Sequence, residues 1–198
     1  MFDEKAQLHT LEGVAAATLL LTVIIYAIDA TSMTPLTSST ANAHIETELA
    51  VLGQDILNTL DYSEPGYSSN LKNDIITWDG KQYLWDGNEY IKNGGTEFLN
   101  NNLTAIFKKA LIGQGIAHRV ELRYLVNISN TTEPSAPHGM IDAGVPSDNA
   151  VVVSRVIVLQ NTDCPDDCEE EEGMLIEDIN PQTNLYNIVD VRLILWRT

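Results

Sequence analysis

The chain is 198 residues long, 44% hydrophobic, and carries 28 acidic residues against 11 basic ones, for a formal charge of −17. That length and apolar content suit one ordinary domain with an appended helix and exclude wholesale disorder. The charge excludes nucleic acid as a partner, because phosphate binding needs Lys and Arg to displace counterions; it suits a solvated acidic surface that stays soluble in high salt, as in a halophilic source.

Residues 1–6, MFDEKA, form a short charged leader with Lys5 as its single basic side chain. After Glu12 come sixteen residues without a formal charge, Gly13 to Ile28. At about 1.5 Å per residue the run covers roughly 24 Å, and Leu8 and Leu11 on one side with the uncharged Ala30 to Pro35 on the other bring it to the span of a hydrocarbon core. Such a run serves as a membrane anchor, a secretion signal or the core helix of a filament subunit, and the reading adopted is the third, with the membrane as its starting place. Ala41-Asn42-Ala43 has the small residues of a signal-peptidase box but lies too far beyond the apolar run to serve as one. Pro35 predicts a kink or melted turn. Beyond it Ile45, Leu49, Leu52, Ile56 and Leu60 recur at helical spacing, so an amphipathic helix is expected to end near Asp61, before Glu64-Pro65-Gly66. The expected fold is therefore α+β: one long kinked N-terminal helix over 7–62, apolar all round in its first half, followed by a mostly antiparallel β-sheet head over 63–198 with one packed helix.

Within that head, aromatic residues flank two turn dipeptides, Asp79-Gly80 and Asp86-Gly87, and predict a hairpin or meander through 81–85 and 89–91. Thr96 is a candidate cap for a helix over 97–112, whose apolar face would hold Phe98, Leu99, Leu103, Ile106, Phe107 and Leu111, with Gly113 as terminator. Segments 120–128, 150–159 and 186–196 alternate or run apolar and predict strands, joined by long polar connections over 129–149 and 161–184.

Chemistry is sparse. The four histidines, His9, His44, His118 and His138, share no face with one another or with a cysteine, and read as packing or surface residues. His138, Asp142 and Ser147 have the residue types of a hydrolytic triad but crowd one Pro/Gly-rich loop without a supporting element. No catalytic residue, cofactor fingerprint or metal motif is found. The run Asp163, Asp166, Asp167 and Glu169 to Glu172 is rich in carboxylates yet lacks the spaced ligands and turn glycine of a Ca²⁺ loop, and reads as a solvated loop. It also contains Cys164 and Cys168; two thiols cannot complete a zinc site, and for an exported chain a small-loop disulfide is expected, with intermolecular pairing as the other option. Export would likewise make Asn102, Asn127 and Asn130 glycosylation candidates, each heading an Asn-X-Ser/Thr sequon.

Taken together, the opening KAQLHTLEGVAAATLLL, the amphipathic continuation and the β-rich head resemble the archaeal type IV pilins and pilin-like proteins, whose class III signal peptides are cut by a prepilin peptidase. The resemblance implies a cut between Ala6 and Gln7, after the basic Lys5. It implies that Glu12, the sixth residue after that cut where the family's glutamate is usually the fifth, meets the new amino terminus of a neighbouring subunit and sets the assembly register. The stretches TSMTPLTSSTANAHIE, GVPSDNAVVVSRVIVL and LYNIVDVRLILW are similar to haloarchaeal membrane-associated proteins encoded with pilus components. The implied function is that of a structural subunit, minor or pilin-like, of an archaeal surface filament used for adhesion or surface assembly. Its partners would be other subunits, the prepilin peptidase and, before assembly, a membrane crossed once with the head outside. The alternative is a monomeric membrane-anchored binding or adhesive protein that keeps its N-terminal helix.

Overall fold

The computed structural model describes residues 17–21, 40–128, 131–163 and 176–197. The chain divides into two compact units, Met1–His44 and Ile45–Thr198. Of the first, residues 17–21 are described as helical, as is the stretch from Thr40 onward.

The second unit is built on two long strands. In β3 (Ile116–Ile128) the even-numbered positions Ile116, His118, Val120, Leu122 and Tyr124 are buried while Arg119, Glu121 and Arg123 are half-buried. A polypeptide with period-two burial is stable only when one face is covered. The partner strand β7 (Leu185–Arg197) runs antiparallel to β3 from Ile116↔Arg197 to Tyr124↔Val189 and places Val189, Val191, Leu193 and Leu195 on the same covered face. On its other side β7 pairs antiparallel with β6 (Val151–Gln160). β3 carries β5 (His138–Asp142) along its second edge, also antiparallel. β1 (Tyr83–Trp85) adds in parallel to β5, and β2 (Tyr90–Lys92) closes the hairpin with β1. The resulting seven-stranded sheet has the order β2-β1-β5-β3-β7-β6, with β4 (Thr131–Pro134) folded back on the end of β3.

Three helices cover one face. Helix α1 (Thr40–Asp61) buries Leu49, Ile56, Leu57 and Leu60 and exposes Glu46, Glu48 and Asp55. Each fully buried leucine contributes about 1.5–3 kcal/mol relative to exposure. Gly53 lets the helix approach the sheet closely, for a Cβ there would lie 2.7 Å from Val153 and 3.0 Å from Leu195. Helix α2 (Asn70–Ile76) starts at Ser69, whose hydroxyl accepts from the Lys72 amide at 3.2 Å. Helix α3 (Asn102–Ala110) starts in a capping box between Asn101 and Thr104. Together they enclose one core that runs from Leu49 and Phe107 to Leu195.

Several expectations are corrected by this architecture. Among the described residues there is no long kinked helix followed by a separate head: the amphipathic stretch is α1, whose apolar stripe packs into the same core as the sheet, so from Ile45 on it is a layer of the β-rich unit. No helix among the described residues is long and apolar enough to cross a membrane. That finding goes against the expected membrane-spanning helix and the single-pass, head-outside surface-filament location built on it; of the apolar run Gly13 to Ile28, all but 17–21 lies outside the described residues. The segment before the first Asp-Gly turn folds as α2, because the Ser69 cap and the buried pair Leu71 and Ile75 favour a helix turn. The helix expected over 97–112 begins only at Asn102. Phe98 instead bridges Ile91 and is 62% exposed, because Asn101 with Thr104 caps more completely than Thr96.

Candidate functional site

At the β6 end of the sheet the chain leaves a polar groove of about 820 Å³, lined by Val156 to Val158 of β6 and by residues of the α1–α2 connection. The connection is shaped locally. Helix α1 stops at Asp61, and Gly66 at φ 90° permits the turn in which the Tyr67 amide donates to the Glu64 carbonyl at 3.0 Å. Ser69 then donates to Asp61 Oδ1 at 3.3 Å while capping α2.

Two charge pairs tie this connection to the strand. Arg155, the single charged residue of β6, donates through Nε to Asp61 Oδ2 at 2.7 Å and through Nη1 to Asn58 at 3.2 Å. Lys72 donates to Asp163 Oδ2 at 2.9 Å, and the same oxygen accepts the Gln160 amide at 2.8 Å. Partly exposed pairs of this kind add at most about 1 kcal/mol each, so their effect is mainly to fix where the groove wall stands and to cancel charge there.

β6 itself is the end strand of the sheet. In an antiparallel ladder every second residue turns its N–H and C=O away from its partner, and at a sheet edge those groups are free to pair with another chain. Among the described residues no backbone hydrogen bond reaches the outer side of β6 between Val152 and Leu159. On the uncovered face Val152, Val156 and Val158 are 47%, 57% and 46% exposed. A second, smaller depression of about 270 Å³ lies on that face beside Val156, where Arg123 and Asp190 stand opposite each other in register. Arg123 Nε and Asp190 Oδ1 are buried there without a hydrogen-bond partner among the described residues.

The remaining buried polar groups serve the fold. Asp74, 3% exposed, accepts from the Asn102 amide and side chain and from the Leu103 amide at 2.7 Å, so it caps α3 from outside. Burial raises its pKa above the ordinary carboxyl value, and those three donors oppose the rise. His118 is fully buried; its ring lies 4.6 Å from that of Phe107 and its Nε2 is 2.7 Å from the Tyr90 hydroxyl. Desolvation pushes its pKa down to about 4, so it is neutral; the Ile116 carbonyl 3.5 Å from Nδ1 suits the tautomer in which Tyr90 donates to Nε2. Asn187 accepts from the Leu125 and Ile188 amides and donates to the Leu125 and Glu177 carbonyls.

Of the candidate site residues singled out in the sequence, Asp163 alone among the described residues lies at the groove. Lys5, Ala6, Gln7, Glu12, Asn130, Cys164 and Cys168 lie outside the described residues. Asn102 uses its side-chain amide on Asp74, and that of Asn127 donates to the Ile179 carbonyl at 2.9 Å. His138 stacks on Tyr124, Asp142 pairs with Arg119 at 3.0 Å, and Ser147 bonds Asn149, so the three triad-type residues have separate partners. Among the described residues no cluster of His, Cys, Asp or Glu could hold a metal ion. Sequence reasoning missed Asp61, Ser69, Lys72 and Arg155. The available signals were Ser69 ahead of an apolar pair and a lone base inside an otherwise uncharged strand.

Comparison with known proteins adds a family without an activity. A family model described as a family of unknown function (DUF7288) matches residues 5–195. A protein of Archaeoglobus fulgidus described as uncharacterized is 30% identical over 200 residues, covering 99% of this chain and 94% of its own length. No solved structure matches.

Proposed function

The chain belongs to the DUF7288 family, and we propose that it acts as a non-catalytic structural subunit of a pilin-like protein assembly, docking to other chains rather than transforming a substrate. The observation that carries this reading is the long, apolar edge of β6, unpaired among the described residues, a surface suited to another polypeptide and not to a small molecule. Support also comes from the buried polar groups, since Asp74, His118 and Asn187 each have a structural partner. The opening KAQLHTLEGVAAATLLL fits the same reading: with prepilin-type processing Gln7 would become the first residue, and Glu12 would be an assembly residue among apolar neighbours.

The test is the intact mass and N-terminal sequence of the protein isolated from its native source, with the native mass of the particle that contains it. A multi-chain particle whose subunits begin at Gln7 or Leu8 supports the proposal, and Glu12→Ala should then abolish assembly without changing the fold. A chain that retains Met1 sinks the processed form of the reading. A lone chain in every native fraction sinks the assembly itself and leaves a monomeric binding protein.

A further inference from the structure

β6 combines two properties that natural sheets keep apart. Its sequence, VVVSRVIVLQ, is apolar on both faces: Ile157 and Leu159 are buried toward the helices, while Val152, Val156 and Val158 line the uncovered side. Such a pattern belongs to a central strand. Yet β6 stands at the end of the sheet, ten residues long, without proline, and regular until the irregularity between Leu159 and Gln160. Edge strands are normally shortened, bulged, or blocked by lysine or proline to prevent pairing with another chain. Along 151–158 this one carries no lysine, proline or bulge, and its single charge, Arg155, is paired with Asp61.

We infer that the outer edge of β6 pairs antiparallel with β6 of a second copy of this chain, joining two sheets across a two-fold axis near Ser154. Charge selects the partner. The chain is at −17, so two copies repel unless they meet where charge is locally cancelled. β6 contains no acid, its one base is neutralised by Asp61, and the neighbouring Asp163 is neutralised by Lys72. Charge also selects the direction. Parallel pairing would bring the two Asp163 positions to the same end of the joined strands. Antiparallel pairing about Ser154 separates the two Gln160 positions by roughly 40 Å at about 3.4 Å per residue. That is well beyond a screening length of about 8 Å at physiological salt. The same register sets Val152 of each copy opposite Val156 of the other and keeps the two Arg155 side chains from facing each other. A closed two-fold contact of this kind makes a dimer and not an open fibre.

This inference deepens the assembly reading by naming one surface, and does not depend on the N-terminal segment. The experiment is sedimentation of the full chain at low and high micromolar concentration, combined with amide hydrogen exchange along 151–160, on wild type and Val156→Lys. The expected result is a wild-type dimer whose alternate β6 amides become protected as concentration rises. In Val156→Lys, with an unchanged circular dichroism spectrum, the dimer dissociation constant should rise about tenfold or more. Wild-type β6 amides that exchange equally fast at every concentration overturn the inference, whatever the variant does. If a larger particle persists under that condition, the assembly reading stands and this surface does not; a monomer throughout removes both. Protection that follows a co-purifying different chain, independent of concentration, overturns the choice of a second copy.

Discussion

β6 and β7 are neighbours of similar composition, yet they hold opposite positions. β7 has a strand on each side, and Val189, Val191, Leu193 and Leu195 are fully buried. β6 has one partner, and three of its valines are about half exposed. On the face opposite the helices β7 places Asp190 and Arg192, followed by Ile194 and Trp196, which are buried with Ala117, whereas β6 places the half-exposed Val152, Val156 and Val158 there. Among the described residues, burial is complete in the middle of one strand and incomplete along the other.

The comparison breaks most sharply in the middle of β7. Leu193→Ala should destabilise the chain by about 2–5 kcal/mol, read as a lower urea midpoint, because it opens a cavity in the core on the helix-covered face of the sheet. Next in size is a pH effect inside the same core. His118 in the folded chain titrates at about 4, against 6.5 for the free side chain. The unfolded chain therefore binds more protons between those values. The contribution of the neutral histidine is full above 6.5 and is lost as pH falls toward 4. Between pH 7 and pH 5 wild type should lose about 2 kcal/mol from this group. His118→Gln should flatten that part of the urea-midpoint profile; an unchanged slope would mean that the ring is not neutral in the folded chain. Smaller again is Gly53→Ala. The added Cβ meets Val153 at 2.7 Å, and overpacking should outweigh the gain in helix propensity by about 1 kcal/mol. Smallest is Val156→Thr on the open side of β6, expected to shift monomer stability by no more than about 0.5 kcal/mol. A large loss there would show that Val156 packs within its own chain.

Long elements were legible because their burial is periodic. The strands expected over 120–128, 150–159 and 186–196 lie within β3, β6 and β7 apart from Ala150, and α1 stops where Asp61 and Pro65 predict. β4 and β5 were hidden in a polar connection, since a strand of four or five residues carries too little alternation and is held in place by β3. The start of α3 was misplaced because its strongest stop signal is not local: Asp74, 28 residues away, accepts the Asn102 amide. The groove was illegible for a similar reason. Arg155 and Asp61 are 94 positions apart, and nothing in VVVSRVIVL distinguishes an edge strand from a central one; only the chain order β3-β7-β6 decides. What periodicity does supply is the contradiction itself, a two-faced apolar strand at an edge.

The sheet order also governs when the unit can close. β3 and β6 do not pair with each other; each pairs with β7, which leaves the ribosome after both. Until then the two strands present apolar faces with no ladder between them, and closing the loops that join them costs entropy before the pairing rewards it, which slows folding. A nascent chain arrested before Leu185 therefore holds its first helices and hairpin without the strand that joins the halves of the sheet, and is the form of this protein most in need of a chaperone.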